Sequence, residues 1–162
     1  MLQAIDISNV WMKVNPELES EIVEFWSARQ LLPPGTNAND RARQVVLTVR
    51  HNGKIVGLTS SDVVKFHQLN NNIFFLFRMM VLPEFRVPGI ESKLIVASRD
   101  ILETFAEKQT VNKCIGMLTF VENPQLIAKR TEAVWPASKM VFIGNDKAGR
   151  QVRVYYFKGA RI

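Results

Sequence analysis

One cysteine, two histidines and two tyrosines are all that 162 residues offer of the side chains most used as nucleophile, base or acid. Cys114 stands alone, so no internal disulfide can form. It lies in an apolar stretch and is expected in the core; as a catalytic thiol it would need a base, and neither histidine is near it in sequence. His51 falls in a turn and is expected to be exposed, and His67 falls in a polar connection and is expected to be solvated. The longest apolar run, residues 73–82, is far short of the roughly 20 residues that a membrane helix needs. The first residues lack the basic-then-apolar pattern of a signal peptide, so a cytoplasmic protein with no membrane partner is expected.

Acidic residues are also scarce outside one region. The net charge is +6, but residues 1–40 carry six acids against two bases, and residues 41–162 carry nineteen bases against nine acids. A basic body suits an anionic ligand and equally a nucleic-acid backbone. The alternation of aromatic and basic residues expected of an RNA-binding sheet is absent, so nucleic acid ranks last among the partners. A chain of this length fits one domain, residues 1–162, large enough to bury about 70% of the surface its unfolded form would expose. No repeat or low-complexity segment interrupts it.

What is present reads as alternating elements. Residues 2–14 supply a first strand. Asn15-Pro16-Glu17 is a helix start, with Leu18, Ile22, Phe25 and Trp26 on one face to about Gln30. Turn formers fill 31–40, a loop and candidate lid. Residues 44–50 and 54–58 alternate about Asn52-Gly53, a hairpin signal, and the second run extends through Val63-Val64 before a polar connection over 65–72. Residues 113–121 form another buried strand, Thr131 to Ser138 is irregular, with Trp135-Pro136 as a packing point or the wall of an acceptor pocket, and 139–143 with 151–157 form a last hairpin.

The stretch 73–108 organises the rest. Its ten-residue apolar run holds a single charge, Arg78, and predicts a central strand buried on both faces. Pro83 ends the run, residues 84–89 form a turn, and Leu94, Ile95, Ala97, Ile101, Leu102 and Phe105 recur at helical spacing. A helix beginning just after a central strand aims unpaired N–H groups and the positive end of its dipole at the turn, a seat for an anion such as phosphate.

These residues carry a resemblance. Arg78 to Leu94 is similar to motif A of the GNAT superfamily of acyl-CoA-dependent N-acyltransferases, whose pyrophosphate loop reads Arg/Gln-x-x-Gly-x-Gly/Ala. Arg86, Gly89 and Ile90 fall on that pattern, with Val81, Pro83 and Glu84 before it and Leu94 after it. Glu91 stands where the last small residue belongs, and Pro88 removes one backbone donor from the loop. The order of elements matches over nearly the whole chain. The resemblance implies an α/β fold with a mixed, mostly antiparallel central sheet of six to seven strands and helices on both faces.

It further implies acetyl-CoA as donor, no metal, and an amine as acceptor. The pantetheine arm would run along Met80, Val81 and Leu82, and the pyrophosphate would meet Arg86 and the amides of Val87, Gly89, Ile90, Glu91 and Ser92. Asn123 fits the asparagine that in the family precedes a short helix bearing a tyrosine acid. No tyrosine follows here. Glu122 is the candidate base, and Tyr155 or Tyr156 the replacement acid. A binding or structural module with degraded chemistry stays open, as does the basic nucleic-acid binder. A homodimer is compatible with the sequence and not required by it.

Overall fold

The computed structural model describes residues 4–162, so the expected start of the first strand at Leu2 lies outside the described residues. Seven strands and four helices follow one another as β1 (Ile5–Asn9), α1 (Pro16–Ser27), α2 (Ala38–Ala42), β2 (Val45–His51), β3 (Lys54–Phe66), β4 (Asn72–Val81), α3 (Ile90–Glu107), β5 (Gly116–Val121), α4 (Pro124–Lys129), β6 (Val141–Asn145) and β7 (Gln151–Tyr156). The strand order is β1-β2-β3-β4-β5-β7-β6, with β4 and β5 parallel and the sheet otherwise mostly antiparallel. Two compact units can be told apart, one made of the chain up to Asp62 with Arg78–Leu94, the other of Val63–Phe77 with Ile95–Ile162.

In the first unit Asn15 caps α1, its Oδ1 accepting the Leu18 N–H at 2.8 Å with Pro16 in the first turn. The helix buries Ile22, Phe25 and Trp26, the face its spacing predicts. It ends at Ser27 rather than near Gln30, because Gln30 takes φ 51° and the Leu31 N–H turns back to the Trp26 carbonyl at 3.1 Å. The β2–β3 hairpin closes at His51↔Lys54 with Asn52 and Gly53 at φ 50° and 77°, as the Asn-Gly pair predicts.

Three local expectations fail here for identifiable reasons. The stretch 31–40 is not all loop, because Asn37 Oδ1 accepts the Asp40 N–H at 3.0 Å and starts α2. That helix is fastened to α1 by Glu19, which accepts from Asn39 Nδ2 at 2.8 Å and Arg43 Nε at 3.1 Å. His51 is half-buried rather than exposed, its ring 4.9 Å from that of Phe85 and its Nδ1 sealed from water without a hydrogen bond. Strand β3 runs to Phe66, past the expected end, with the polar Ser60 and Ser61 buried.

In the second unit the core gathers Phe74, Leu118, Val152 and Val154, and Cys114 is fully buried as expected. Phe75 packs against Phe105 of α3 and Phe157, with ring centroids 6.3 and 6.1 Å away. The irregular segment before β6 is held by Arg153, only 1% exposed, which donates to the carbonyls of Glu132 at 2.9 Å and of Ala133 and Met140 at 3.3 Å. Its guanidinium lies 4.2 Å from the Trp135 ring centroid, and Trp135 is the packing point its position predicts.

Candidate functional site

The corner from β4 to α3 lies in the first unit. Strand β4 buries Phe74, Phe75, Phe77 and Val81, but Leu76, Arg78, Met79 and Met80 are half-buried, so the expected burial on both faces holds only in part. The Leu82 N–H donates to the Val56 carbonyl at 2.9 Å. Since donors alternate along a strand, the N–H and C=O of Val81 face the opposite edge. There the Val81 carbonyl accepts Arg86 Nε at 2.8 Å, which draws the turn back onto the strand end.

The turn itself is wound tightly. Phe85 N–H donates to Leu82 O at 2.9 Å, Val87 N–H to Phe85 O at 2.9 Å and Ile90 N–H to Val87 O at 3.2 Å. Two of the five amides expected to face an anion, those of Val87 and Ile90, are thus engaged inside the turn. Gly89 sits at φ 82° with open space where a Cβ would lie, and its own N–H has no acceptor among the described residues. Helix α3 opens at Ile90 with Glu91 and Ser92 in its first turn, and both are half-buried.

The other four predicted residues lie in the second unit. Glu122 accepts Arg150 Nη1 at 3.1 Å, and Arg150 is held also by Asp146 Oδ2 at 2.6 Å. Asn123 caps α4, its Oδ1 accepting the Gln125 N–H at 2.9 Å. Tyr155 and Tyr156 are neighbours on β7 and so point to opposite faces. Tyr155 lies beneath Arg99, whose Cζ is 4.8 Å from the ring centroid; Tyr156 is 42% exposed and meets Phe74 edge-on at 5.8 Å. At most one of the two can face a given site. An open hollow of about 430 Å³ in the same unit is lined by Phe66, Phe120 and Arg150, whose charge is already paired.

One grouping in the first unit escaped sequence reasoning. Arg41 on α2 and Arg78 on β4 are half-buried, and neither guanidinium makes a hydrogen bond or an ion pair within 4.0 Å among the described residues. Burial, and after it the charge of Arg78, pushes the Arg41 pKa down, while Asp62 opposes the shift. Arg41 lies in the 31–43 region of turn formers and charged residues, and only the tertiary fold brings it to Arg78. Among the described residues no cluster of three His, Cys, Asp or Glu is arranged to hold a metal, and no helix is long and apolar enough to cross a membrane.

No known family profile and no curated protein matches the sequence. Solved structures do match in fold. The ribosomal-protein-S5-alanine acetyltransferase of Vibrio fischeri aligns with TM-score 0.65 at 10% identity over 100% of this chain and 98% of its own. NAA60 of Arabidopsis thaliana, solved in complex with acetyl-CoA, aligns with TM-score 0.61 at 12% identity over 95% and 100%. A GNAT-family acetyltransferase of Streptococcus pneumoniae gives 0.61 at 13% over 95% and 99%. Identities this low speak to architecture alone. With seven strands in a mostly antiparallel sheet and the glycine turn between β4 and α3, the chain has the fold of the GNAT acetyltransferases.

Proposed function

We propose that this protein is an N-acyltransferase that moves an acetyl group from acetyl-CoA to a primary amine. The observation that carries the reading is the corner at Gly89, where a strand end, a positive-φ glycine with an unspent N–H and the N-terminus of an 18-residue helix meet. The fold it shares with NAA60, solved with acetyl-CoA, supports the same reading. Arg86, tied through Nε to Val81, keeps its terminal nitrogens for a phosphate oxygen. Met80, Val81 and Leu82 line the pantetheine arm, and the amides of residues 87–92 meet the pyrophosphate.

In the transfer the amine nitrogen attacks the thioester carbonyl carbon, the C–S bond breaks, the amine gives up a proton, and the CoA thiolate takes one. The Val81 N–H, facing away from β3, polarises the carbonyl. Glu122 serves as base, through water, and a tyrosine of β7 as acid. Asn123 assists by holding the start of α4.

A second reading, a CoA-binding module without turnover, is favoured by the pairing of Glu122 with Arg150 and by the absence of tyrosine from α4. Two measurements decide. CoA at about a hundred times its dissociation constant stabilises the native state by about 2.7 kcal/mol, seen as a rise in Tm. Gly89→Val, which forces a branched side chain to φ 82°, removes most of that rise. No rise in the parent protein ends both readings. A rise without release of free thiol across an amine panel leaves the module.

A further inference from the structure

Two arginines in one molecule are treated very differently. Arg153 is buried with each of its three guanidinium nitrogens bonded, donating to three carbonyls and to Gln151 Oε1. Arg41 is half-buried, its Nε is sealed from water, and its side chain donates to nothing among the described residues. A buried donor left unmade costs about 1–3 kcal/mol, more for a charged group. A second unpaired guanidinium beside it raises that cost, since like charges repel. Arg153 shows a guanidinium satisfied by its own chain; around Arg41 and Arg78 the described residues supply no acceptor, so water or an anion from outside must fill the positions that solvent reaches.

Backbone geometry places the pair. The Ser61 N–H donates to the Gln44 carbonyl at 2.9 Å, and Val45 lies across from Ser60, so the end of α2 arrives beside this part of β3. On the other side Leu82 bonds to Val56, and a Cβ on Gly57 would meet Met80 O and Val81 Cα. Carried back along the antiparallel strands, that register sets Arg78 across from Ser60. Asp62, which accepts Gln44 Nε2 at 3.4 Å, completes the group. Arg78 shares its strand face with Met80, two residues and about 7 Å away.

We infer that Arg41 and Arg78 bind the carboxylate of the acceptor, so that the substrate is an amine that also carries an acid group, as a free amino acid does. Two guanidiniums and the Asp62 carboxylate leave one net positive charge, matched to a monoanionic carboxylate rather than to a phosphate dianion. Arg78 and Met80 leave the same face of β4, so a carboxylate held by the guanidiniums keeps its amine on the face where the donor's thioester would lie. The assignment rests on the acyltransferase reading for its role as acceptor site, and on the two arginines alone for its chemistry.

The test uses the full chain saturated with CoA and compares glycine with glycinamide and phenylalanine with phenylalaninamide, beside inorganic phosphate. The acids raise Tm and the amides do not. Arg41→Gln and Arg78→Gln each weaken acid binding by at least about tenfold, the loss of one charge-assisted contact. Both variants keep the Tm rise given by CoA, which shows that they are folded. Equal effects of acid and amide overturn the inference, as does an acid preference that survives in both variants, or a larger response to inorganic phosphate. If the acids bind and CoA does not, the transferase reading falls and the acceptor role with it; if CoA binds and acid and amide are alike, only the arginine assignment falls.

Discussion

Cys114 shows how a side chain's surroundings decide its chemistry. Burial pushes its thiol pKa up to about 11, so at neutral pH roughly one molecule in ten thousand carries the reactive thiolate. A thiol reagent such as a disulfide dye should leave the native protein unmodified at pH 7 and titrate one equivalent once guanidinium unfolds it. Fast labelling of the native state would show that the side chain is not in the core. This residue was legible in the sequence because it opens the apolar stretch that runs through Ile115, Met117, Leu118 and Phe120. His51 was not, since Phe85, against which its ring packs, lies far along the chain and no local pattern announces the contact. Arg41 and Arg78 are illegible for the same reason. Each looks like an ordinary solvated or structural charge until the elements that carry them are brought together.

Elements with a strong local signal came through best. The Asn15-Pro16 start of α1, the Asn-Gly hairpin and the period of α3 each follow from backbone preferences that act within a few residues. Helix α2 has five residues and one buried side chain, Ala42, too short for a period to register. Strand β3 disguises its length with Thr59, Ser60 and Ser61, which the sheet buries despite their polarity. The same strand carries a close approach that the sequence marks only as one glycine among eight. A Cβ on Gly57 would lie 2.9 Å from Met80 O and 3.2 Å from Val81 Cα. Gly57→Ala should therefore cost about 1–3 kcal/mol in denaturant unfolding and weaken CoA binding, because relief requires the end of β4 to shift. An alanine variant as stable as the parent would show that the two strands have room to spare. Of the corner itself, Arg86 and Gly89 were readable as a motif, whereas the engagement of the Val87 and Ile90 amides within the turn required coordinates.

At the scale of the molecule, charge is segregated along the chain, and the segment from residue 41 onward carries the positive excess. That excess attracts a polyphosphate from a distance, and salt screens it with a Debye length of about 8 Å at physiological strength. CoA affinity should fall as sodium chloride rises from about 50 to 500 mM, and dephospho-CoA should show a shallower dependence. A flat response in calorimetry would mean that the basic surface plays no part in capturing the donor. The order β5-β7-β6 has a different consequence, one that concerns synthesis. Strand β6 leaves the ribosome before β7, yet β7 lies between it and β5 and supplies the partner of each. Until β7 emerges, β5 is matched only on its β4 side and β6 has no partner strand, with the carbonyls of Glu132, Ala133 and Met140 still awaiting Arg153. Translation that stalls or stops before residue 151 thus releases a chain with a slot in its sheet and a strand that has nothing to lie against.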